Sequence, residues 1–312
     1  VWGDGGNDRM EGGEGNDFFF GGAGNDIITD EFGDDEIRSG SGDDVVTAGQ
    51  GINLIITDTG SDFIVTADRF AFVPNASQGV IAAAAAVVRR GTKIATMTTN
   101  YGGVVLGLRA LARRAEAHLV ELPALPPLSA TPETCVTEVA DHIGDADVLV
   151  LDQIVATSAQ LNPIAEIARA VRATRPDCFI VVDAAHAVGQ LYPALPAGVD
   201  AWVSNFHKWV AAPRPSAALV AISDRAASVL EPLAGSWNAE RGFPLSFDQQ
   251  GTADLSAYLA TPAAFDFLAR WECRLRDCVW PLQRVQFRPA AAAQGPPRRA
   301  GGVPLPARSA RE

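Results

Sequence analysis

Cysteine is scarce in this sequence: Cys135, Cys178, Cys273 and Cys278 are the four in a chain of 312 residues. No two stand in a C-x-x-C pair, so neither a disulfide framework nor a thiolate metal site is expected. Long hydrophobic runs are lacking too. The candidate at Val80–Val88 is alanine-rich and far short of the roughly 20 residues that a membrane span needs, and no secretory signal is visible. A third scarcity is local. Val1–Phe70 holds 3 basic residues against 16 acidic ones, a net of −13, while the remainder nets +1. The net charge of −12 therefore belongs to one segment. Such an acidic block argues for bound cations and against a nucleic-acid partner.

The acidic segment is periodic. Cut in nines from Gly3, it reads GDGGNDRME, GGEGNDFFF, GGAGNDIIT, DEFGDDEIR, SGSGDDVVT, AGQGINLII and TDTGSDFIV, seven units ending at Val65. The glycines permit the positive-φ turn that opens each unit. The eighth residues, Met10, Phe19, Ile28, Ile37, Val46, Ile55 and Ile64, are apolar and are expected to fill a narrow core. The sixth positions, Asp8, Asp17, Asp26, Asp35, Asp44, Asn53 and Asp62, supply hard oxygen ligands suited to Ca²⁺. This pattern resembles the repeats-in-toxin (RTX) nonapeptide, and the resemblance implies a calcium-binding parallel β-roll over residues 1–70. Asp8, Asp17, Asp26, Asp35, Asp44 and Asp62 are the metal-ligand candidates. Without metal, carboxylates stacked along the roll repel, so the segment is expected to order on binding.

The second half is organised around Val181–Trp209. A short apolar run, Phe179–Val182, reads as a buried parallel strand ending on Asp183, with His186 three residues later. A second run, Asp200–Ser204, leads to Asn205, His207, Lys208 and Trp209. Strand ends of an α/β sheet are where ligands bind. An aspartate at one strand end and a lysine beyond the next suit pyridoxal phosphate (PLP): the lysine forms the Schiff base and the aspartate pairs with the pyridinium nitrogen.

The Asp183-Ala184-Ala185-His186 … Asn205-Phe206-His207-Lys208-Trp209 pattern resembles the class V aminotransferase family of fold-type I PLP enzymes. The later run GSW … QQGTAD … AYLATPAAFDFL resembles its isopenicillin N epimerase-like branch, with cysteine desulfurases and kynureninases as cousins. The resemblance spans about Val73 to Trp271. It implies a three-layer α/β/α large domain, residues 71–280, acting on an amino acid through an aldimine at Lys208, as an epimerase, aminotransferase or lyase. Lys208, Asp183 and His186 are then the catalytic candidates. Ala76 and Ser77, in the turn Pro74–Gly79 before a helix at Val80–Arg90, would hold the cofactor's phosphate at a helix N-terminus, although Ser77 also reads as an ordinary N-cap. Tyr101 would stack on the pyridine ring, or else pack in the core. His186 would contact the ring hydroxyl, and Asn205 and His207 the phosphate. Thr252, after Gly251, would reach the phosphate of a neighbouring subunit, which implies a homodimer; it also reads as a helix N-cap.

Two departures are visible. After Asp152 the family usually has a histidine and then Thr-Ser or Ser-Asn, where this chain has Gln153, Val155 and Ala156. Residues 281–312 are rich in Pro, Ala, Arg and Gly without apolar periodicity and read as a low-complexity tail, standing where the family has a small domain with a carboxylate-binding arginine. The large domain is accordingly expected to be cut short at both ends. Desulfurase chemistry is disfavoured, since Cys273 and Cys278 have no evident activating partner. The alternative to an enzyme is a calcium-binding RTX protein with a degenerate or chimeric PLP domain. The compartment is open: the repeats suit extracellular calcium, the PLP domain the cytoplasm.

Overall fold

The structure is a computed structural model and describes residues 1–30, 32–33, 35–42, 44–48, 54–56, 63–64, 67–123, 131–191 and 195–275. Asn53 and Asp62, most of the proline-rich connection after Leu122, Cys278 and the 281–312 tail lie outside the described residues.

The nonapeptides form a two-sheeted parallel roll. β1 (Arg9–Glu11), β3 (Ile27–Thr29), β5 (Val45–Thr47) and β7 (Phe63–Ile64) make one sheet; β2 (Phe18–Ala23), β4 (Glu36–Ser41) and β6 (Leu54–Ile56) make the other. Successive units alternate between sheets, so each strand pairs with the one two units on: Met10 with Ile28, Ile28 with Val46, Phe19 with Ile37. Parallel strands ordinarily need a long crossover; here a glycine turn suffices because the next strand lies in the opposite sheet. Gly24 shows why the turn needs glycine: φ is 132°, and a Cβ there would lie 2.1 Å from the Gly6 carbonyl oxygen. The core is the expected column, with Met10, Phe19, Ile28, Ile37 and Val46 buried and Ile55 packed against them.

The body is a seven-stranded sheet. Its strands are β8 (Phe70–Val73), β9 (Lys93–Met97), β10 (His118–Leu122), β11 (Val148–Asp152), β12 (Phe179–Asp183), β13 (Ala201–Asn205) and β14 (Ala217–Ala221), in the order β10-β9-β11-β12-β13-β14-β8. Only β14 runs antiparallel, pairing with β13 and β8. Six helices are described: α1 (Ala76–Val87), α2 (Gly102–Ala115), α3 (Pro132–His142), α4 (Ile164–Thr174), α5 (Asp224–Val229) and α6 (Ser256–Leu275). Strand alternation divides the layers. Ile180 and Val182 of β12 join a core with α3, α4 and Phe265 of α6, whereas Phe179 and Val181 join one with α1, α2 and Ala226 of α5.

Two expected boundaries move. The roll–body division at Phe70–Ala71 falls inside β8, where Phe70 pairs with Val220 and its ring stacks on Phe206. Apolar alternation in the preceding roll repeat hides that change of sheet. The helix expected from Val80 begins at Ala76, because the Asn75 side chain accepts the Gln78 N–H at 2.9 Å and caps it. Ser77 is therefore in the first helical turn, not at the cap.

Gly79 lets α1 approach the sheet. A Cβ there would lie 2.6 Å from Val203 Cγ1 and 3.1 Å from Val73 Cγ2, both stiff branched side chains in the sheet. Gly79→Val is expected to destabilise the body by about 1–3 kcal/mol through overpacking, read as a lowered denaturation midpoint. An unchanged midpoint would mean that α1 can lift off without cost.

Candidate active site

The C-terminal ends of the central parallel strands each carry a polar residue. β11, β12 and β13 end on Asp152, Asp183 and Asn205, and Asp152 stands opposite Asp183 in register. α1 and α2 start at the same end of the sheet. Between them lies a cleft of about 340 Å³, lined by Asn75, Ala76, Ser77, Tyr101, Asp183, Ala185, Asn205, His207 and Lys208.

Asp183 is the most constrained group. It is buried; its Oδ1 accepts the Ala185 N–H at 3.0 Å, and its Oδ2 has no hydrogen-bond partner. Burial pushes its pKa up, against the opposing effects of that N–H and of Lys208. Asp152 is buried beside it, raised first by burial and then by the charge of Asp183. One Asp152 oxygen accepts the Tyr101 N–H at 3.0 Å. Sequence reading passed over Asp152 as a site residue. The available signal was that the apolar run Val148–Leu151 ends on an aspartate, as Phe179–Val182 does.

Lys208 faces a histidine. Its Nζ lies 3.0 Å from His186 Nε2, while Trp209 Nε1 donates to His186 Nδ1 at 3.2 Å. The indole is donor only, so Nδ1 must accept, and a neutral imidazole then carries its proton on Nε2. An Nε2–H facing Lys208 favours the neutral form of its amine over the ammonium. Burial lowers the Lys208 pKa in the same sense, with Asp183 and Asp152 opposing. Burial and Lys208 also keep the His186 pKa low. His186 is not among the lining residues and meets the cleft through Lys208.

Other candidates are placed unevenly. Asn205 Oδ1 accepts the Ala76 N–H at 2.8 Å, so two residues expected on the cofactor hold each other. That bond uses up the Ala76 donor. Ser77 then supplies the N–H and hydroxyl of this turn, and Asn205 keeps its Nδ2. His207 lines the cleft with Nδ1 2.8 Å from the Ser216 carbonyl; burial lowers its pKa first, then Arg214 and Lys208. Tyr101 is 51% exposed on the cleft wall, which excludes the core-packing alternative. Thr252 is exposed and does not line the cleft of its own chain. Gln153 is buried, accepting the Trp202 indole N–H at 2.9 Å, so it braces the sheet away from the cleft.

These residues fit PLP. A protonated pyridine nitrogen would satisfy the bare Asp183 oxygen, a lysine whose pKa is lowered suits the amine its aldehyde requires, and a helix start with a serine suits its phosphate. Residues 60–274 match the class-V aminotransferase family.

The chain belongs to that family.

PLP is accordingly its cofactor. Among the plant relatives that match are a putative L-cysteine desulfhydrase 1 of Oryza sativa subsp. japonica, 30% identical over 193 residues, and an L-cysteine desulfhydrase of Arabidopsis thaliana, 32% identical over 126. The first alignment covers 59% of this chain and 39% of the relative, the second 39% and 27%. The chain thus spans at most about two fifths of the length of these relatives. The epimerase-like branch expected from the sequence is not what they name. Among solved structures, the cystine C–S lyase C-DES, complexed with its reaction product cysteine persulfide, superposes with a TM-score of 0.57 at 20% identity, over 65% of this chain and 56% of that one. A cysteine desulfurase from Thermococcus onnurineus NA1 gives 0.53 at 17%, over 65% and 52%. At such identities they show the shared fold.

The roll has its own polar arrangement. Asp26 Oδ1 accepts the Asp8 N–H, Asp35 Oδ1 the Asp17 N–H, and Asp44 Oδ1 the Asp26 N–H, each at 2.9 Å. Each bond braces a turn one coil away and leaves the second carboxylate oxygen for other use; Oδ2 of Asp8 and of Asp26 is buried with no hydrogen bond. Oxygens so arranged fit a hard cation. The segments 2–37, 20–55 and 31–64 match the RTX calcium-binding nonapeptide repeat, and such repeats bind calcium.

Proposed function

We propose that the body is a PLP-dependent C–S lyase that releases sulfide from L-cysteine. The observation that carries the cofactor chemistry is the partnerless, buried Asp183 oxygen in one cleft with Lys208, whose pKa burial lowers. The names of the relatives support the substrate. The cleft lining supports elimination over sulfur transfer to an enzyme thiol: it contains no cysteine among the described residues. Cys135 and Cys178 are buried, and burial pushes the Cys178 thiol up to about 11, the opposite of an activated nucleophile.

When bound, PLP supplies an electron sink for charge developing at the substrate's α-carbon. Lys208 is the amine that holds the cofactor and, once displaced, the base positioned to move the α-proton. Asp183, ionised against the ring nitrogen, keeps that nitrogen protonated. His186, fixed by Trp209, positions Lys208. Ser77, the Asn205 Nδ2 and His207 bind the phosphate, and Tyr101 covers the ring. Thr252 completes the phosphate site of a second copy in a homodimer. The balanced reaction converts L-cysteine and water into pyruvate, ammonia and hydrogen sulfide.

Incubating the full chain with PLP and L-cysteine is expected to yield sulfide and pyruvate in equal amounts. Alanine with protein-bound persulfide would assign a desulfurase instead, and D-cysteine without sulfide an epimerase. Either product set overturns the lyase reading.

A further inference from the structure

The roll contains a carboxylate that the nine-residue pattern does not require. The first position of the opening units is Gly3, Gly12 and Gly21; the fourth unit begins with Asp30. Asp30 follows β3 and is 0% exposed. Its Oδ1 accepts the Gly13 N–H at 3.3 Å, and its Oδ2 has no hydrogen-bond partner. The carboxylate fills space that only a glycine leaves open: a Cβ on Gly12 would lie 2.2 Å from Asp30 Oδ1 and 2.8 Å from Asp17 Oδ2. Carboxylate oxygens of Asp17, Asp30 and Asp35 come within 4.8 Å of one another.

Three carboxylates this close repel, and no Lys or Arg among the described residues pairs with Asp30. The opposite edge of the roll differs. There Asp8 and Asp26 stand beside Gly3 and Gly21, whose missing side chains leave room for Asp8 Oδ2 and Asp26 Oδ2, with Asp44 one coil further on; among the described residues no three carboxylates on that edge come within 4.8 Å of one another. Calcium affinity follows the number of charged oxygen ligands and the rigidity of the site. Asp30 adds to both, because it follows directly on β3 and its Oδ1 is tied to the Gly13 turn.

We propose that Asp30 is an additional calcium ligand, making Asp17–Asp30–Asp35 a three-carboxylate site that fills before the Asp8–Asp26 edge. The proposal rests on the calcium reading of the repeats. It is tested by calorimetric titration of the full chain with Ca²⁺ alone, comparing Asp30→Asn, Asp30→Gly and Asp26→Asn. Asp30→Asn keeps the acceptor for Gly13 and removes the charge; Asp30→Gly restores the residue of the opening units. Both Asp30 variants are expected to weaken the tightest class of sites by about tenfold or more, as a lost charged ligand does, and to leave the weaker class in place. Asp26→Asn is expected to spare the tightest class. Retention of the tightest class in Asp30→Asn, or tighter binding in Asp30→Gly, overturns the role of Asp30. Absence of calcium binding by the unaltered chain would overturn the calcium reading itself.

Discussion

Borohydride treatment of the PLP-loaded chain is expected to fix the cofactor on Lys208, and Lys208→Ala to abolish both the adduct and sulfide release. The sequence makes this experiment sharp, since Lys93 and Lys208 are its only lysines. Lys93 begins β9, at the end of the parallel sheet away from the cleft, where its ammonium pairs with Asp145 and its N–H with Asp147. A labelled peptide containing Lys93 would refute the site. Loss of proton transfer alone should cost roughly 10²–10⁴-fold in rate, and loss of covalent attachment adds to that. Loading has a pH signature. The folded Lys208 pKa is lowered, so the neutral amine is available further down the pH scale than for a free lysine, and loading should fall only as pH drops through that lowered value. His186→Ala opens the packing around Lys208 and weakens the burial that lowers its pKa, so the fall should move to higher pH. The same linkage makes Lys208 destabilising when protonated: its contribution to stability is present above the ordinary lysine pKa and is lost as pH falls through the lowered one.

Calcium removal should have an effect of similar size on the other half of the molecule. With a chelator, the roll is expected to lose its parallel-sheet circular dichroism and to regain it when Ca²⁺ is returned, because binding and folding are coupled where the site exists only in the folded state. Buried aspartates support this expectation. Asp26, Asp30, Asp35 and Asp44 are each 2% exposed or less, and ionised carboxylates taken from water without a cation are costly. Asp17→Ala and Asp26→Ala should raise the calcium needed more than Asn53→Ala does, since an asparagine offers a neutral oxygen only. No spectral change up to about 10 mM Ca²⁺, beyond the weak end of extracellular sites, would contradict the roll as a calcium-dependent element.

The roll was legible almost residue by residue. A nine-residue period returns each apolar eighth position to the same place in a two-sheet coil, so Met10, Phe19, Ile28, Ile37 and Val46 had to form one column. Phe179–Val182 and Val148–Leu151 were equally plain, because strands buried on both faces are continuously apolar. Asp183 and Lys208 were legible as chemistry, at strand ends where an α/β sheet binds its ligands.

Other features depended on which distant segments meet. That Asp152 lies beside Asp183 is a matter of register between β11 and β12, fixed by how the intervening α4 packs. That Ala76 spends its N–H on Asn205 depends on α1 closing onto β13 through Gly79, a contact between residues more than a hundred positions apart. β8 could be assigned to the body only once its partner β14 was in place, since the strand's own alternation suits either sheet. Asp30 looked like a lapse in the repeat until the coil stacked it against Asp17 and Asp35. Local period therefore determined what each side chain faces along its own strand. Long-range packing decided which polar groups share a site, because hydrogen bonds and charges act over a few ångströms and the sequence carries no measure of that distance.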